Sequence, residues 1–277
     1  MSLYINTNVA SLDAQRNLAR TQLALTENFQ KLSSGFRINT AADDAAGLGI
    51  SESLRAQVRS YSVAERNTNN AISMAQTAEG ALGQVSSILT RMRELAVQGS
   101  NGDMTATDRS YLDTEFTNLK NEIDRIASST KFNGKDLLAG SSSTIDFQVG
   151  IDNNATDRIA IVFGNVSLTT LGVSAATVSG ATATSSQAAI GTIDAAMTNV
   201  STRRADFGAA MNRLGITVAN IQSMRTTISA ANSRIRDVDV AEETAALARN
   251  QVLSQAGMSI LAQANQSPQA ALSLMRG

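Results

Sequence analysis

The sequence contains no cysteine, histidine or tryptophan, and it has one proline in 277 residues. Without cysteine there can be no disulfide, thiolate metal site or thiol nucleophile, and the redox compartment stays open. Without histidine, zinc sites built on imidazole, Ser-His-Asp chemistry and histidine acid-base catalysis are all excluded. Carboxylates, lysines, tyrosines and serines show no convergent set either. We therefore expect no catalytic residues, no metal site and no cofactor, in a protein that is not an enzyme.

An excess of charge of either sign is also missing. The chain has 23 Lys and Arg against 24 Asp and Glu, a formal net charge of -1, and no basic block. This balance argues against partners that are nucleic acids or anionic membranes. The first residues lack the basic region and continuous apolar run of a Sec-type signal peptide, so none is expected. The charge-free run 250–275 carries five glutamines and two asparagines, and insertion into a membrane is therefore not expected.

The acidic stretch "DVDVAEE" at residues 237–243 could be a cation site or the charged start of a helix. Its carboxylates are the ligand type that hard cations prefer, but no glycine turn or EF-hand spacing accompanies them. Negative charge is also favoured in the first turn of a helix. We interpret the stretch as the charged start of a helix.

A long apolar repeat occupies the C-terminal half. Seven residues recur at intervals of seven: Ile193, Val200, Phe207, Leu214, Ile221, Ile228 and Ile235. With apolar residues four positions on at several repeats, this is the a/d seam of a coiled coil. It predicts a helix over about 186–236, about 75 Å long at 1.5 Å per residue. Such a helix needs another long helix to pack against.

The N-terminal half supplies that partner. A heptad-like pattern predicts a helix over about 43–99, with these apolar positions: Ala71, Met74, Ala78, Leu82, Val85, Leu89, Met92 and Leu95. A shorter helix follows, predicted by apolar residues spaced four and three apart: Leu112, Phe116, Leu119, Ile123 and Ile126. It is expected to fold back as an antiparallel neighbour, so that three helices share one bundle.

The two chain ends carry apolar stripes of their own. The N-terminal stripe contains Leu18, Leu25, Phe29 and Leu32, and the C-terminal one contains Val252, Ile260 and Leu261. Neither stripe has enough apolar residues to form a core alone. The ends could pair as a two-helix coiled coil, or both could bury their remaining faces against other copies of the protein. These seven residues are our candidates for an assembly seam.

Between the halves the period changes from helical to alternating. Apolar residues alternate with polar ones in "TIDFQVGI" and "DRIAIVF", which predicts a β-hairpin over about 144–163. Asn133-Gly134 is a turn signal. Residues 164–186 carry no charge, and we expect an exposed connection there. The fold class predicted is mainly α: a long helical bundle or coiled coil from paired N- and C-terminal segments, with a small β-hairpin region.

The junction "KLSSGFRINTAADDAAGLGIS" at 31–51 separates two predicted helices. Gly35 suits the end of the first helix, because glycine adopts the left-handed conformation without steric cost. Thr40 and Asp43 match a capping pattern, and Asp43 with Asp44 would place negative charge at the start of the next helix. Gly47 and Gly49 would allow close backbone approach.

These blocks resemble a known family. "LSSGFRINTAADDAAGLGISESLRAQVR" and "NQVLSQAGMSILAQANQSPQAALSLMR" strongly resemble the terminal segments of bacterial flagellins. "MRELAVQGSNG", "NEIDRIASSTKFNGKDLLAG" and "ANSRIRDVDVAEETAALARNQVL" resemble further flagellin blocks in the same order. A hook-filament junction protein is the related alternative, and a cytoplasmic signalling coiled coil is a more distant one. The C-terminal segment and the β-hairpin signals favour a flagellin.

The resemblance implies a structural subunit that polymerises into the helical flagellar filament used for motility. Residues 1–42 and 237–277 would form the inner filament core, and residues 43–236 a helical-bundle domain. Such a protein is secreted through type III export and lies outside the cell. The partners implied are other copies of itself, hook-associated junction and cap proteins, and an export chaperone at the C-terminal helix. Large outer domains inserted in many flagellins have no counterpart here, where only 164–186 separates the halves.

The resemblance also implies a receptor-contact surface. In flagellins recognised by Toll-like receptor 5, the matching positions are Arg91, Leu95 and Glu115. "TRMRELAVQGSN" follows the receptor-active pattern except at Thr90, where glutamine is common. Alternatively, Arg91 and Glu115 form an ordinary ion pair and Leu95 belongs to the bundle seam.

Overall fold

The structure is a computed structural model, which describes residues 7–140 and 143–276, with side chains described up to residue 266. The elements follow in this order: α1 (Val9–Ser34), α2 (Ala45–Gly99), α3 (Ala106–Ser129), β1 (Lys131–Phe132), β2 (Lys135–Asp136), β3 (Ser143–Gln148), β4 (Arg158–Phe163), α4 (Leu168–Leu171), α5 (Thr184–Arg236) and α6 (Val240–Arg276). The predicted mainly α class with a small β-hairpin region is confirmed. The helices predicted over about 43–99 and 186–236 are observed as α2 and α5, which begin and end close to the predicted bounds.

The chain divides into two compact units. The first contains residues 1–58 and 226–277, and the second contains residues 59–225. The first unit therefore holds both chain ends, together with the start of α2 and the end of α5. The division at 42/43 and 236/237, which rests on a role in assembly, stays a prediction.

The core of the second unit is built from α2, α3 and α5 as their periodicity predicts. All eight predicted apolar positions of α2 are buried, and so are Phe116 and Ile123 on α3. On α5, the first five residues of the heptad series, from Ile193 to Ile221, are at most 4% exposed. Ile228 and Ile235, which belong to the first unit, are half-buried.

The helix α3 begins with a capping box, which was not among the predictions from the sequence. The Asp108 amide donates to Thr105 Oγ1 at 3.3 Å, and the Thr105 amide donates back to Asp108 Oδ2 at 3.0 Å. Hydrogen bonds from the Thr105 hydroxyl and amide hold the pKa of the Asp108 carboxyl below its usual value. The box therefore satisfies two backbone donors at the turn between α2 and α3.

The predicted hairpin is confirmed as the antiparallel pair β3 and β4, with Ile145 opposite Ile161. On β4, Ile159, Ile161 and Phe163 are buried while Val162 is exposed, the alternation expected of a strand with one face on a core. Phe163 packs on Phe207 of α5 with ring centroids 5.4 Å apart. The Asn133-Gly134 turn between β1 and β2 is also confirmed, with positive φ at both residues as hairpin turns of this length require.

The prediction that residues 164–186 form an exposed connection is wrong. Five of its residues are at most 3% exposed: Val166, Leu171, Val173, Val178 and Ser186. The segment contains the short helix α4, and its valines and leucine extend the core of the second unit. Its lack of charge reflects burial, because an apolar segment of this length can pack when its backbone groups find partners.

Those partners come from polar side chains of α3. Asp113 Oδ1 accepts from the Val178 amide at 2.9 Å, and Lys120 Nζ donates to Ser174 O at 2.6 Å. Side chains of α3 make three further hydrogen bonds to this segment: Asp113 with Thr177, Lys120 with Ala176, and Asp124 with Leu168. This polar flank of α3 fixes the connection on the bundle.

Arg109 completes the attachment at the end of α2. Its side chain is buried, at 2% exposure, and its guanidinium donates to three backbone carbonyls: Gly99 at 2.9 Å, Asn101 at 3.0 Å and Ala181 at 3.3 Å. A cation at the C-terminus of a helix also complements the helix dipole. One side chain thus joins the end of α2, the following turn and the connection before α5.

Candidate assembly surface

In the first unit, the end of α1 lies against the link between α5 and α6. The Arg37 amide donates to Arg236 O at 2.7 Å, and the Val238 amide donates to Gly35 O at 3.0 Å. The Arg236 guanidinium lies over the Phe36 ring, 4.7 Å from its centroid, and also pairs with Glu52 at 2.6 Å. These backbone and side-chain contacts hold the end of α1 against the link between α5 and α6.

The junction at 31–51 uses its residues somewhat differently from the prediction. Gly35 ends α1 with φ 75°, as expected. Asp44, rather than Asp43, caps α2, because its Oδ1 accepts from the Gly47 amide at 2.8 Å. Asp43 instead closes the preceding turn by accepting from the Thr40 and Asn39 amides. Its carboxylate has a pKa below the usual value, chiefly because of these backbone hydrogen bonds.

The two junction glycines of α2 differ in their surroundings. A Cβ on Gly47 would come within 2.7 Å of the side chain of Ile38 and would also collide with Asp44. A Cβ on Gly49 would meet nothing within 4 Å. The prediction of close approach is therefore confirmed for Gly47 and wrong for Gly49.

The terminal helices α1 and α6 pair as an antiparallel coiled coil whose seam contains few large apolar side chains. The half-buried or buried positions of α1 include a series spaced alternately three and four residues apart: Ser11, Ala14, Leu18, Thr21, Leu25, Asn28 and Leu32. The corresponding positions of α6 are Glu243, Leu247, Asn250, Ser254, Gly257, Leu261 and Ala264. This is a heptad seam, but more than half of its side chains are polar or no larger than alanine.

Polar groups make the closest contacts along this seam. Asn28 donates to Glu243 and accepts from Asn250 Nδ2 at 2.8 Å. Towards the other end of the pair, Ser11 Oγ donates to Asn265 Oδ1 at 2.7 Å. Asn8 Nδ2 donates to the backbone oxygen of Ala264, also at 2.7 Å. The two most buried side chains of α1 are Ser11 and Asn28, at 6% and 8% exposure.

Large apolar side chains of the same helices remain exposed instead. We call these the outer apolar residues: Val9, Leu12, Leu23 and Phe29 on α1, and Val240, Val252, Leu253, Met258 and Ile260 on α6, each more than half exposed. The seven candidates for an assembly seam thus separate into two groups. Leu18, Leu25, Leu32 and Leu261 lie in the intramolecular seam, whereas Phe29, Val252 and Ile260 belong to the outer apolar residues.

The candidate receptor surface lies in the second unit. Arg91 makes a two-pronged ion pair with Glu115, with Nε 2.8 Å from Oε1 and Nη2 3.3 Å from Oε2. Its Nη1 also donates to Glu94 at 2.8 Å. These hydrogen bonds, the Glu115 one foremost, raise the pKa of the Arg91 guanidinium. Leu95 is fully buried in the bundle core, as expected of a residue in the bundle seam. A part for it in receptor contact stays a prediction.

Comparison with known proteins identifies the family to which this chain belongs. The family described as "Bacterial flagellin N-terminal helical region" matches residues 5–143, and "Bacterial flagellin C-terminal helical region" matches residues 190–275. The chain is 44% identical to a flagellin of Halalkalibacterium halodurans over 274 residues, which cover 99% of this chain and all of that protein. This chain belongs to the flagellin family.

A further relative supports the family assignment, and one solved structure supports the fold. It is 40% identical to the flagellar filament 33 kDa core protein of Treponema phagedenis, over 99% of this chain and all of that protein. A solved structure of a putative flagellar hook-associated protein from Vibrio parahaemolyticus covers 70% of this chain and 100% of its own, with a TM-score of 0.58. At 17% identity that likeness shows the fold alone.

In this flagellin-family chain, reasoning from apolar stripes missed the polar members of the terminal seam. Ser11, Asn28, Asn250 and Ser254 occupy the same heptad series as Leu18 and Leu261. The spacing of three and four residues is visible in the sequence when small and polar residues are counted together. Selecting only large apolar residues, as in a globular core, therefore picked out Phe29 and Val252, which are exposed.

The acidic stretch begins α6 as predicted. Asp239 Oδ1 accepts from the Ala241 amide at 2.9 Å and from the Glu242 amide at 3.2 Å. Within the described ranges there is no group of three or more Asp or Glu placed to hold a metal ion. Over the same residues, no helix combines the length and apolar character needed to cross a membrane.

Proposed function

We propose that this chain is the structural subunit of a helical flagellar filament, in which many copies pack through α1 and α6. The family to which it belongs is structural, and its relatives include flagellins and filament core proteins. The observation that carries the proposal is the arrangement of the terminal helices. Their seam is small and polar, while the outer apolar residues point away from it, which is the reverse of a self-sufficient helical pair.

The energetics favour burial of these residues between copies. Covering a large aliphatic or aromatic side chain contributes about 1.5–3 kcal/mol, and nine such residues on α1 and α6 are more than half exposed. The intramolecular seam, with glycine, alanine and serine at several positions, buries much less. A second copy of the chain is the partner that can cover both helices in a repeating arrangement.

The same proposal covers the export of the subunit, its location and its partners. The subunit leaves the cell through the flagellar type III export apparatus and lies in the extracellular filament. An export chaperone holds α6 beforehand, and hook-associated junction and cap proteins meet the two ends of the polymer. Residues 1–42 and 237–277 form the inner filament core, and 43–236 surround it. The uncharged polar residues between Asn250 and Gln266 are suited to a water-filled channel.

Growth on flagellar seeds, observed by electron microscopy, tests the proposal. The unaltered chain is expected to elongate seeds into long filaments. The double variant Val252→Asp/Ile260→Asp should reduce elongation by about a hundredfold or more, because each charge would have to be desolvated at the contact between copies. Both positions are more than half exposed in the single chain, so the monomer should keep its helix content.

The matched control is Val252→Leu/Ile260→Leu, which keeps both side chains apolar and should elongate seeds. An unaltered chain that stays monomeric, or that stops after one layer on the seed, would overturn the filament proposal and favour a junction protein. Elongation by the aspartate variant at the normal rate would show that the outer apolar residues are not the assembly contacts.

We propose further that Arg91 and Glu115 form part of a surface recognised by Toll-like receptor 5. Both side chains are about half exposed and close to each other, and Leu95 supports them from the core. In a cell reporter assay, purified monomer should activate the receptor, and Arg91→Ala should weaken this activation by about tenfold. The control is Arg93→Ala, since Arg93 faces Asp194 on α5 instead. An inactive monomer, or equal effects of the two variants, would refute this role.

A further inference from the structure

We propose that Asn101 is a self-modifying site, where the Gly102 amide nitrogen closes on the Asn101 side chain and the carboxamide nitrogen is lost as ammonia. The sequence has two Asn-Gly pairs, Asn101-Gly102 and Asn133-Gly134. Glycine after asparagine favours ring closure, because no Cβ shields the attacking nitrogen. The structure distinguishes the two pairs by backbone conformation, and it places a buried cation against the first pair.

At the second pair, the backbone holds the reacting atoms apart. Asn133 has φ 48° and Gly134 has φ 76°, the left-handed conformations of a two-residue hairpin turn. In this conformation the Cβ atom of a residue lies close to its own carbonyl oxygen. The following amide nitrogen is therefore on the opposite side of the carbonyl carbon, beyond the reach of the side chain. Pairing of Phe132 with Lys135 maintains the turn.

At the first pair, the backbone permits the approach. Asn101 and Gly102 lie exposed in the turn between α2 and α3, and Asn101 does not have a positive φ. In the part of the chain that the structure describes, neither the Asn101 carboxamide nor the Gly102 amide nitrogen makes a hydrogen bond. The turn borders an open cavity of 570 Å³, which Asn101 and Asp103 help to line. The side chain can therefore meet the nitrogen, and water can reach the product.

The Arg109 guanidinium adds electrostatic stabilisation at this pair. Its Nη2 donates to the Asn101 carbonyl oxygen at 3.0 Å, and the side chain is 2% exposed. When a base removes the Gly102 amide proton, the negative charge is shared between that nitrogen and the Asn101 carbonyl oxygen, because the peptide bond is conjugated. A fixed donor aimed at an oxygen where charge develops lowers the barrier.

The reaction has two steps and needs only water as a co-reactant. First, the Gly102 nitrogen bonds to Asn101 Cγ, the Cγ–Nδ2 bond breaks, and a proton equivalent to the one removed from the nitrogen leaves in ammonia. Then water adds to one carbonyl of the cyclic imide and breaks the bond from that carbonyl to the nitrogen. Opening at Cγ gives aspartate, and opening at the former backbone carbonyl gives isoaspartate. Neither step is a redox step.

The position of Arg109 also favours one of these products. Opening at the former backbone carbonyl turns the oxygen that Arg109 already binds into part of a carboxylate. A guanidinium pairs more strongly with a carboxylate than with a neutral carbonyl. We therefore expect isoaspartate to form in a larger share in the native chain than in the unfolded chain. This chemistry belongs to a single chain and does not rest on the proposed filament function.

Ageing of the full chain, followed by peptide mapping with mass spectrometry, tests the proposal. The chain is incubated in mildly alkaline buffer, either native or unfolded in urea, and fragmentation distinguishes isoaspartate from aspartate. In the native chain, the Asn101 peptide should convert at least about tenfold faster than the Asn133 peptide, because the hairpin turn prevents ring closure at Asn133. In urea the two rates should be similar, because both pairs have the same local sequence.

Two substitutions separate the attacking nitrogen from the cation. Gly102→Ala should slow native conversion at Asn101 by about tenfold through shielding of the nitrogen, and the fold should be kept, since a Cβ there meets nothing within 4 Å. Arg109→Ala should lower the isoaspartate share to its value in urea. Arg109→Lys, which also loses stability but keeps a cation, should retain a larger share, so that charge is distinguished from stability.

Any of three results would overturn the proposal. The first is equal conversion of the Asn101 and Asn133 peptides in the native chain. The second is undiminished conversion at Asn101 in the Gly102→Ala variant. The third is an isoaspartate share that is the same in the unaltered chain and in Arg109→Ala, with both confirmed as folded by circular dichroism.

Discussion

Deleting residues 256–277 should leave a soluble chain that no longer elongates filament seeds. The deletion removes Gly257, which lies against Leu18, and the groups that contact Asn8 and Ser11. It also removes Met258 and Ile260 from the outer apolar residues. Because α1 then loses its partner along its N-terminal part, assembly contacts of both helices are lost together. Electron microscopy of seeded reactions should show filament growth from the full chain alone.

The second unit provides the internal control for this truncation. Residues 59–225 form their own core, so the thermal transition of that unit should be the same in the truncated and full chains. Normal growth by a truncated chain with an intact second unit would contradict the assignment of α6 to the filament core. A truncated chain with a lowered transition would mean that α6 is needed for folding, which also contradicts our account.

Replacing Arg109 with alanine should destabilise the second unit by about 3 kcal/mol. The change removes a buried guanidinium that donates to the carbonyls of Gly99, Asn101 and Ala181. Hydrogen bonds to a charged group contribute about 1.5–3 kcal/mol each, and the buried carbonyls left behind carry a desolvation penalty. The cost of burying the cation offsets part of this loss. Urea unfolding of the full chain, followed by the transition of the second unit, measures the change.

Arg125 on the same helix serves as the matched control. It pairs with Glu122 one turn away and its side chain is 65% exposed, so Arg125→Ala should leave the free energy of unfolding nearly unchanged. Arg109→Lys should retain little of the stability, because an ammonium group cannot reach three carbonyls in the geometry of a guanidinium fork. Equal effects of Arg109→Ala and Arg125→Ala would show that the three carbonyl contacts do not stabilise the unit.

The helices and their bundle seam were predictable because they depend on local periodicity. The heptad series from Ile193 to Ile221 and the matching positions of α2 identify buried residues directly, since a 3.6-residue period places them on one face. The hairpin was equally accessible through alternation in β4. The Gly35 turn followed from a single residue whose conformational preference is strong.

Three features depended on tertiary contacts and were missed or misjudged. Residues 164–186 look like an exposed linker by composition, yet they are buried because α3 supplies partners for their backbone. Gly47 and Gly49 are neighbours in one junction, and only the path of the chain places Ile38 against Gly47 while the space around Gly49 stays open. Asp43 and Asp44 are adjacent in a capping pattern, and the path of the chain decides which of them caps α2.

The terminal helices show the same distinction most clearly. Inventory and periodicity alone predict that both terminal segments are helical and lack the apolar content for a core of their own. Which residues face inward was decided by the pairing of α1 with α6, where close approach of two helices favours glycine, alanine and serine over bulky side chains. Hydrophobicity therefore identified residues that need to be buried, while the geometry of the pair determined that Phe29, Val252 and Ile260 are not buried within one chain.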